Sequence, residues 1–98
     1  MSKPNLEEKY IEFIKNAVDS IVENAKVYIF DSHTEGTTQK YSNVDIALDT
    51  KHEIDITEIL KLKSVFRNST FPYKVNIVDL NSADNNFIKV IEKDLHRI

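Results

Sequence analysis

Apolar residues recur at helical spacing in three parts of the chain. They predict an amphipathic helix from Leu6 to Ala25, a second helix from Asp55 to about Asn68, and a last helix after Ser82. Glu7 and Glu8 fall in the first turn of the first helix, where negative charge is favourable. Ser82 is a candidate N-cap for the last helix, which we expect to carry Phe87, Ile88, Ile91 and Leu95 on one side.

Three short runs rich in β-forming residues lie between these helices. They are Val27–Phe30, Val44–Leu48 and Lys74–Val78. The element order helix, strand, strand, helix, strand, helix predicts an α+β fold, a three-stranded mixed sheet packed by helices on one face. Alternation in the second strand places Asp45 opposite its apolar face, which suits either a cleft or ordinary solvent exposure.

Composition narrows the class of protein. The 98 residues, 41% hydrophobic and 30% charged, are expected to form a single domain spanning residues 1–98. The chain has no cysteine, which excludes a disulfide framework, a thiol nucleophile and a zinc-thiolate site. Neither a signal peptide nor a membrane-spanning run is evident, so we expect a soluble cytoplasmic protein. The net charge of -3 argues against nucleic-acid binding through a strongly basic face.

One polar stretch carries a recognisable spacing. Ser32 is followed by ten residues, then Asn43, one residue, and Asp45. This frame, with its strand context and the downstream FPYKVNIVD segment, resembles the minimal nucleotidyltransferase (MNT) family of the DNA polymerase β-like nucleotidyltransferase superfamily. The resemblance covers nearly the whole chain. It implies that Asp31 and Ser32 stand at the nucleotide-binding Gly-Ser pair, and that Asn43, Asp45 and Asn76 stand at the three catalytic, metal-binding carboxylate positions.

The resemblance also implies an activity and partners. Family members use Mg²⁺ held by the carboxylates to transfer a nucleoside monophosphate from a triphosphate such as ATP. Small members act as antitoxins that transfer AMP to a helical toxin of the HEPN type. A homodimer is a further expectation, since small domains often gain stability by associating.

This chain departs from the family pattern at the positions that matter most. Asp31 replaces glycine, and Asn43 and Asn76 replace carboxylates, so Asp45 is the one motif carboxylate retained. The neighbouring position, often arginine in the family, holds His33. Metal-based charge stabilisation is worth several kcal/mol, so losing two ligands should slow transfer on the order of a thousandfold or more. We therefore expect an impaired site.

Four functional alternatives remain open. The chain is an active Mg²⁺-dependent nucleotidyltransferase, a non-catalytic interaction module, a domain that binds nucleotide without metal, or an unrelated small α+β domain. Several residues are weaker candidates. Replacement metal ligands would have to come from Asp79, Asp49 or Glu35. His33 and His52 form no metal pair with an obvious third ligand. His96 is expected near a helix C-terminus, where a partial positive charge is favourable. Tyr41 could pack on a base or cover the sheet edge, and Lys61, Lys63 and Arg67 form a modest basic patch.

Overall fold

The computed structural model describes residues 7–30 and 43–98, without the side chain of Asn43. Its elements follow the predicted order, with a short strand added at the end. They are α1 (Glu8–Ile21), β1 (Lys26–Phe30), β2 (Asn43–Asp49), α2 (Ile56–Arg67), β3 (Lys74–Asp79), α3 (Asn85–Ile91), a 3-10 turn (Glu92–Asp94) and β4 (His96–Arg97).

The sheet is mixed and has four strands in the order β3-β2-β1-β4. β2 runs parallel to β3, and β1 runs antiparallel to both β2 and β4. The prediction of three strands was wrong because β4 is two residues long and has no alternating pattern. It is recruited by pairing, His96 opposite Ile29 and Arg97 opposite Tyr28. His96 therefore lies on a strand, and the expectation of a helix C-terminus there was wrong.

The larger core lies between the sheet and the helices α1 and α2. Alternation in β2 turns Val44, Ile46 and Leu48 towards this layer, where they meet buried side chains such as Val18 and Leu62. This confirms the predicted face of β2.

The second face of the sheet is also covered, so the prediction of helices on one face was wrong. Ile91 of α3 packs against Phe30 and Ala47 in a separate apolar cluster. Phe30 and Ala47 are buried apolar side chains on this face, so their burial requires a covering element there.

Acidic side chains define the starts of the later helices. Asp55 caps α2 by accepting a 2.9 Å hydrogen bond from the Thr57 backbone N–H. This bond, the bond from the Thr57 hydroxyl, and the charge of Lys61 lower the pKa of the Asp55 carboxyl. Asp84 caps α3, so the expectation that Ser82 is the N-cap was wrong.

Ser82 lies one turn earlier, where its backbone N–H donates to the Asp79 carbonyl. The predicted last helix was also too long, since α3 ends at Ile91 and Leu95 follows the 3-10 turn. Among the described residues, no helix is long and apolar enough to cross a membrane.

Candidate functional site

Two candidate site residues, Asp45 and Asn76, lie side by side on neighbouring strands. They are paired positions in the parallel ladder between β2 and β3. The side-chain amide of Asn76 donates a 2.9 Å hydrogen bond to Oδ1 of Asp45. The opposite amide orientation would put two acceptor oxygens together, so the donor assignment follows from the chemistry. The structure thus brings together two of the three positions that the family motif assigns to carboxylates.

Asp45 is a buried carboxylate with 8% of its surface exposed. It shares the second face of the sheet with Ala47, and its burial excludes ordinary solvent exposure. A buried carboxylate is stable only with hydrogen-bond or charge partners, and the Asn76 amide supplies one of them. The two side chains therefore act as a polar clasp between the strands.

The remaining motif positions all precede Asp45 in the chain. Asn43 begins β2, two residues before Asp45, and its side chain lies outside the described residues. Phe30, the last described residue before Asp31, is paired with Asp45 across β1 and β2. Asp31 and Ser32 lie outside the described residues. So do three secondary candidates, His33, Glu35 and Tyr41.

The donor set at Asp45 does not fit a pair of Mg²⁺ ions within the described part of the chain. Mg²⁺ prefers carboxylate oxygens in octahedral geometry. No group of three or more His, Cys, Asp or Glu residues in residues 7–30 and 43–98 could hold a metal ion. At Asp45 the neighbouring ligand position presents an N–H donor, the Asn76 amide, to one carboxylate oxygen. A donor facing that oxygen competes with a cation for it.

Two possible replacement ligands are engaged elsewhere. Asp79 is buried, and its carboxylate accepts hydrogen bonds from the backbone N–H groups of Ile54 (2.8 Å) and Asn81 (2.9 Å). Asp79 also lies three residues beyond Asn76 on β3, which places it on the other face of the sheet. The Asp49 carboxylate accepts a hydrogen bond from the backbone N–H of Lys51. Neither residue joins the pair formed by Asp45 and Asn76.

Sequence reasoning missed the structural role of Asp79. By accepting from Ile54, it fixes the segment that leads into α2 against the end of β3. Asn81 adds a second tie, since its side-chain oxygen accepts a 2.9 Å bond from the Thr50 backbone N–H. The available signal was an Asp followed closely by an Asn at the end of an apolar strand, a combination typical of turn-stabilising side chains.

A cavity of about 530 Å³ lies away from this chemistry. Its lining includes Ile54, Ile56, Ile59 and Asp79. These residues lie at or just before the start of α2 and at the C-terminal end of β3, and the lining includes neither Asp45 nor Asn76.

Comparisons with known proteins identify the family of this chain. The family profile described as "Polymerase beta, Nucleotidyltransferase" matches residues 8–98. A probable protein adenylyltransferase MntA from Haemophilus influenzae is 25% identical over 89 residues, which cover 91% of this chain and 78% of the relative.

Solved structures show the same fold. A chain from the complex of tri-AMPylated Shewanella oneidensis HEPN toxin with MNT antitoxin gives a TM-score of 0.74 at 19% identity, covering 94% of this chain and 71% of that one. A chain from a toxin–antitoxin structure with AMP-PNP gives a TM-score of 0.72 at 22% identity, covering 94% of this chain and 72% of that one. The family profile spans almost all of the described fold, and the chain belongs to the polymerase beta nucleotidyltransferase family.

Proposed function

We propose that this protein is the antitoxin partner of a HEPN-type toxin, which it neutralises by binding, with its own AMP-transfer site impaired. The observation that carries the proposal is the 2.9 Å hydrogen bond from the Asn76 amide to the Asp45 carboxylate. Where the family motif places two neighbouring carboxylates, this chain has one carboxylate hydrogen-bonded to an amide. The proposal includes a cytoplasmic location.

The loss of charge at the site supports an impaired transfer reaction. Asn43 and Asn76 offer neutral oxygens where the family motif places anions, and Asp31 adds a negative charge at the glycine position. Mg²⁺ and ATP are the ligands the family implies, and metal stabilisation of a transferring phosphoryl group is worth several kcal/mol. Each ~1.4 kcal/mol lost slows the reaction tenfold. A rate lower by on the order of a thousandfold or more is therefore expected.

The binding role draws support from the similar proteins. The fold is the one found in the complex of an MNT antitoxin with a HEPN toxin. The family profile matches residues 8–98, so the framework of such an antitoxin is retained in this chain even where the chemistry is lost. Binding needs no metal and no carboxylate triad.

An active Mg²⁺-dependent nucleotidyltransferase is the second candidate. The observation in its favour is Asp45, which is retained, buried and placed beside the third motif position. In this alternative, AMP is transferred from ATP to the protein partner. The similar structure with AMP-PNP is consistent with a nucleotide site in the family fold.

Co-expression with a HEPN-type toxin from the source genome separates the two candidates. We expect the wild-type protein and the Asp45→Ala variant to restore growth equally, and the co-purified toxin to carry no added AMP by intact mass spectrometry. Asp49→Ala is the matched control, a carboxylate on the same strand outside the clasp. If growth is restored only with Asp45 present and the toxin gains AMP, the protein is an active transferase. If the two proteins do not associate, the binding role is wrong.

A further inference from the structure

The solvent-facing side of α2 carries an unusual stripe. Ile56, Leu60, Lys63 and Arg67 follow one another at spacings of four, three and four residues, which places them on one face of the helix. We call these four residues the α2 stripe. Ile56 is 63% exposed and Leu60 is 57% exposed, although both are large apolar side chains. The helix packs on the sheet through its other side, where Leu62 and Phe66 are buried.

The stripe is polarised along its length. Its first half is apolar and its second half is basic, while the acidic residues Glu53 and Asp55, both exposed, precede it. Within residues 7–30 and 43–98, the single ion pair joins Lys9 to Glu7 on another helix. The charges of Glu53, Lys63 and Arg67 are thus not paired with one another or with any other described residue. A surface running from acidic through apolar to basic is self-complementary when its copy runs in the opposite direction.

We propose that the α2 stripe is the contact surface for a second copy of this chain, which forms a two-fold symmetric antiparallel helix pair. A two-fold contact brings the same patch of both copies together. With the axis at Leu60, each Leu60 meets its own copy. Glu53 precedes the N-cap Asp55 at the acidic end of the stripe, and Arg67 ends the helix at the basic end. The antiparallel arrangement therefore brings the acidic end of one copy, with Glu53, near the basic end of the other, with Arg67.

The same arrangement would cover the exposed side chain of Ile56. Ile56 lies four positions before the axis and Lys63 three positions after it, so the two meet across the pair. The methylene stem of a lysine covers apolar surface while its ammonium group stays in water. A parallel pair would instead bring Glu53 and Asp55 close to their own copies, and like charges would repel. Charge complementarity therefore selects the antiparallel second copy as the occupant.

The size of the contact surface indicates how tightly the two copies should associate. A helix of 12 residues is about 18 Å long at 1.5 Å per residue, so the pair buries less than the roughly 1,200 Å² of a stable interface. The dimer should be weak and should depend on protein concentration and on salt, because part of its energy comes from exposed charge pairs. This proposal is independent of the nucleotidyl-transfer site.

Disulfide capture tests the contact directly, since the natural chain contains no cysteine. Leu60→Cys places one thiol at the proposed axis, and mild oxidation should convert most of the protein into a covalent dimer. Lys89→Cys is the matched control, because Lys89 is exposed on α3, which packs on the opposite face of the sheet from α2. Equal cross-linking of the two variants would overturn the proposal.

Charge reversal provides the second arm, measured by sedimentation equilibrium of the full chain. Glu53→Lys and Arg67→Glu should each weaken the dimer several-fold, and the double variant should recover wild-type association. A protein that is monomeric at every concentration, or a double variant no better than the singles, would contradict the proposal. So would a Leu60→Asp variant that loses toxin binding and keeps self-association, because the face would then belong to the toxin.

Discussion

Replacement of Asn76 by aspartate should destabilise the metal-free protein. The change removes the hydrogen bond to Asp45 and places a second carboxylate beside the first. A hydrogen bond to a charged group contributes about 1.5–3 kcal/mol. Two unit charges at about 4 Å repel by about 4 kcal/mol at an effective dielectric constant of 20, and the exposure of Asn76 screens part of this. We expect a net loss of about 2–4 kcal/mol at neutral pH.

Thermal unfolding followed by circular dichroism measures this loss. For a domain of this size, 1 kcal/mol corresponds to about 4–8 °C in Tm, so Asn76→Asp should lower Tm by about 8 °C or more. The charge repulsion acts only while both carboxylates are ionised, so this part of the penalty should shrink in acid. Millimolar Mg²⁺ should stabilise the variant more than the wild type, because the restored carboxylate adds a ligand.

Two control variants separate the loss of the hydrogen bond from the effect of the added charge. Asn76→Ala removes the hydrogen bond without adding charge and should lose less stability than Asn76→Asp. Asn85→Asp makes the same chemical change at an exposed position in the first turn of α3, where negative charge is tolerated. An Asn76→Asp variant as stable as the wild type at neutral pH without Mg²⁺ would refute the clasp between Asn76 and Asp45.

Three further predictions concern the scaffold. Leu62→Ala should lower the free energy of unfolding in urea by about 2–5 kcal/mol, because Leu62 is fully buried. Leu60→Ala on the same helix should lower it by under about 0.5 kcal/mol. Equal losses would contradict the packing of α2. Asp79→Ala leaves the buried N–H of Ile54 without its acceptor, so we expect a loss of about 1–3 kcal/mol and faster hydrogen exchange at that amide; unchanged exchange would disprove the tie. Asp55→Ala should lower Tm at pH 7. Because the pKa of Asp55 is lowered in the folded state, its charge stabilises the fold above the unfolded pKa of about 3.9. The difference in Tm between wild type and variant should therefore fade as the pH falls through the folded pKa. A difference that grows in acid would be inconsistent with the cap.

Strand alternation was sufficient to predict part of the candidate site. It placed Asp45 on the face opposite Val44 and Ile46, and Asn76 opposite Val75 and Ile77, as the structure has them. Alternation does not determine which strands pair or in which register. The contact between Asp45 and Asn76 depends on the parallel ladder of β2 with β3, and residues 31 positions apart reveal no such pairing by local pattern.

Other features depended on tertiary contacts with little sequence signal. β4 exists because His96 and Arg97 pair with β1, and two residues are too few to show a period. The burial of Ile91 against Phe30 determines where α3 lies. Predicting this position from the sequence requires knowing that both faces of the sheet are covered. Asp79 acts on Ile54, 25 residues earlier, so its role was visible only in three dimensions.

Under the proposed function, this chain keeps the nucleotidyltransferase fold while the exchange of carboxylates for amides impairs its metal-nucleotide site. Calorimetric titration of the purified protein with ATP and Mg²⁺, beside a variant carrying Asp31→Gly, Asn43→Asp and Asn76→Asp, tests this claim most directly. We predict that the restored variant binds Mg²⁺-ATP and that the natural sequence binds it at least tenfold more weakly. Equally tight binding by the two proteins would contradict the account.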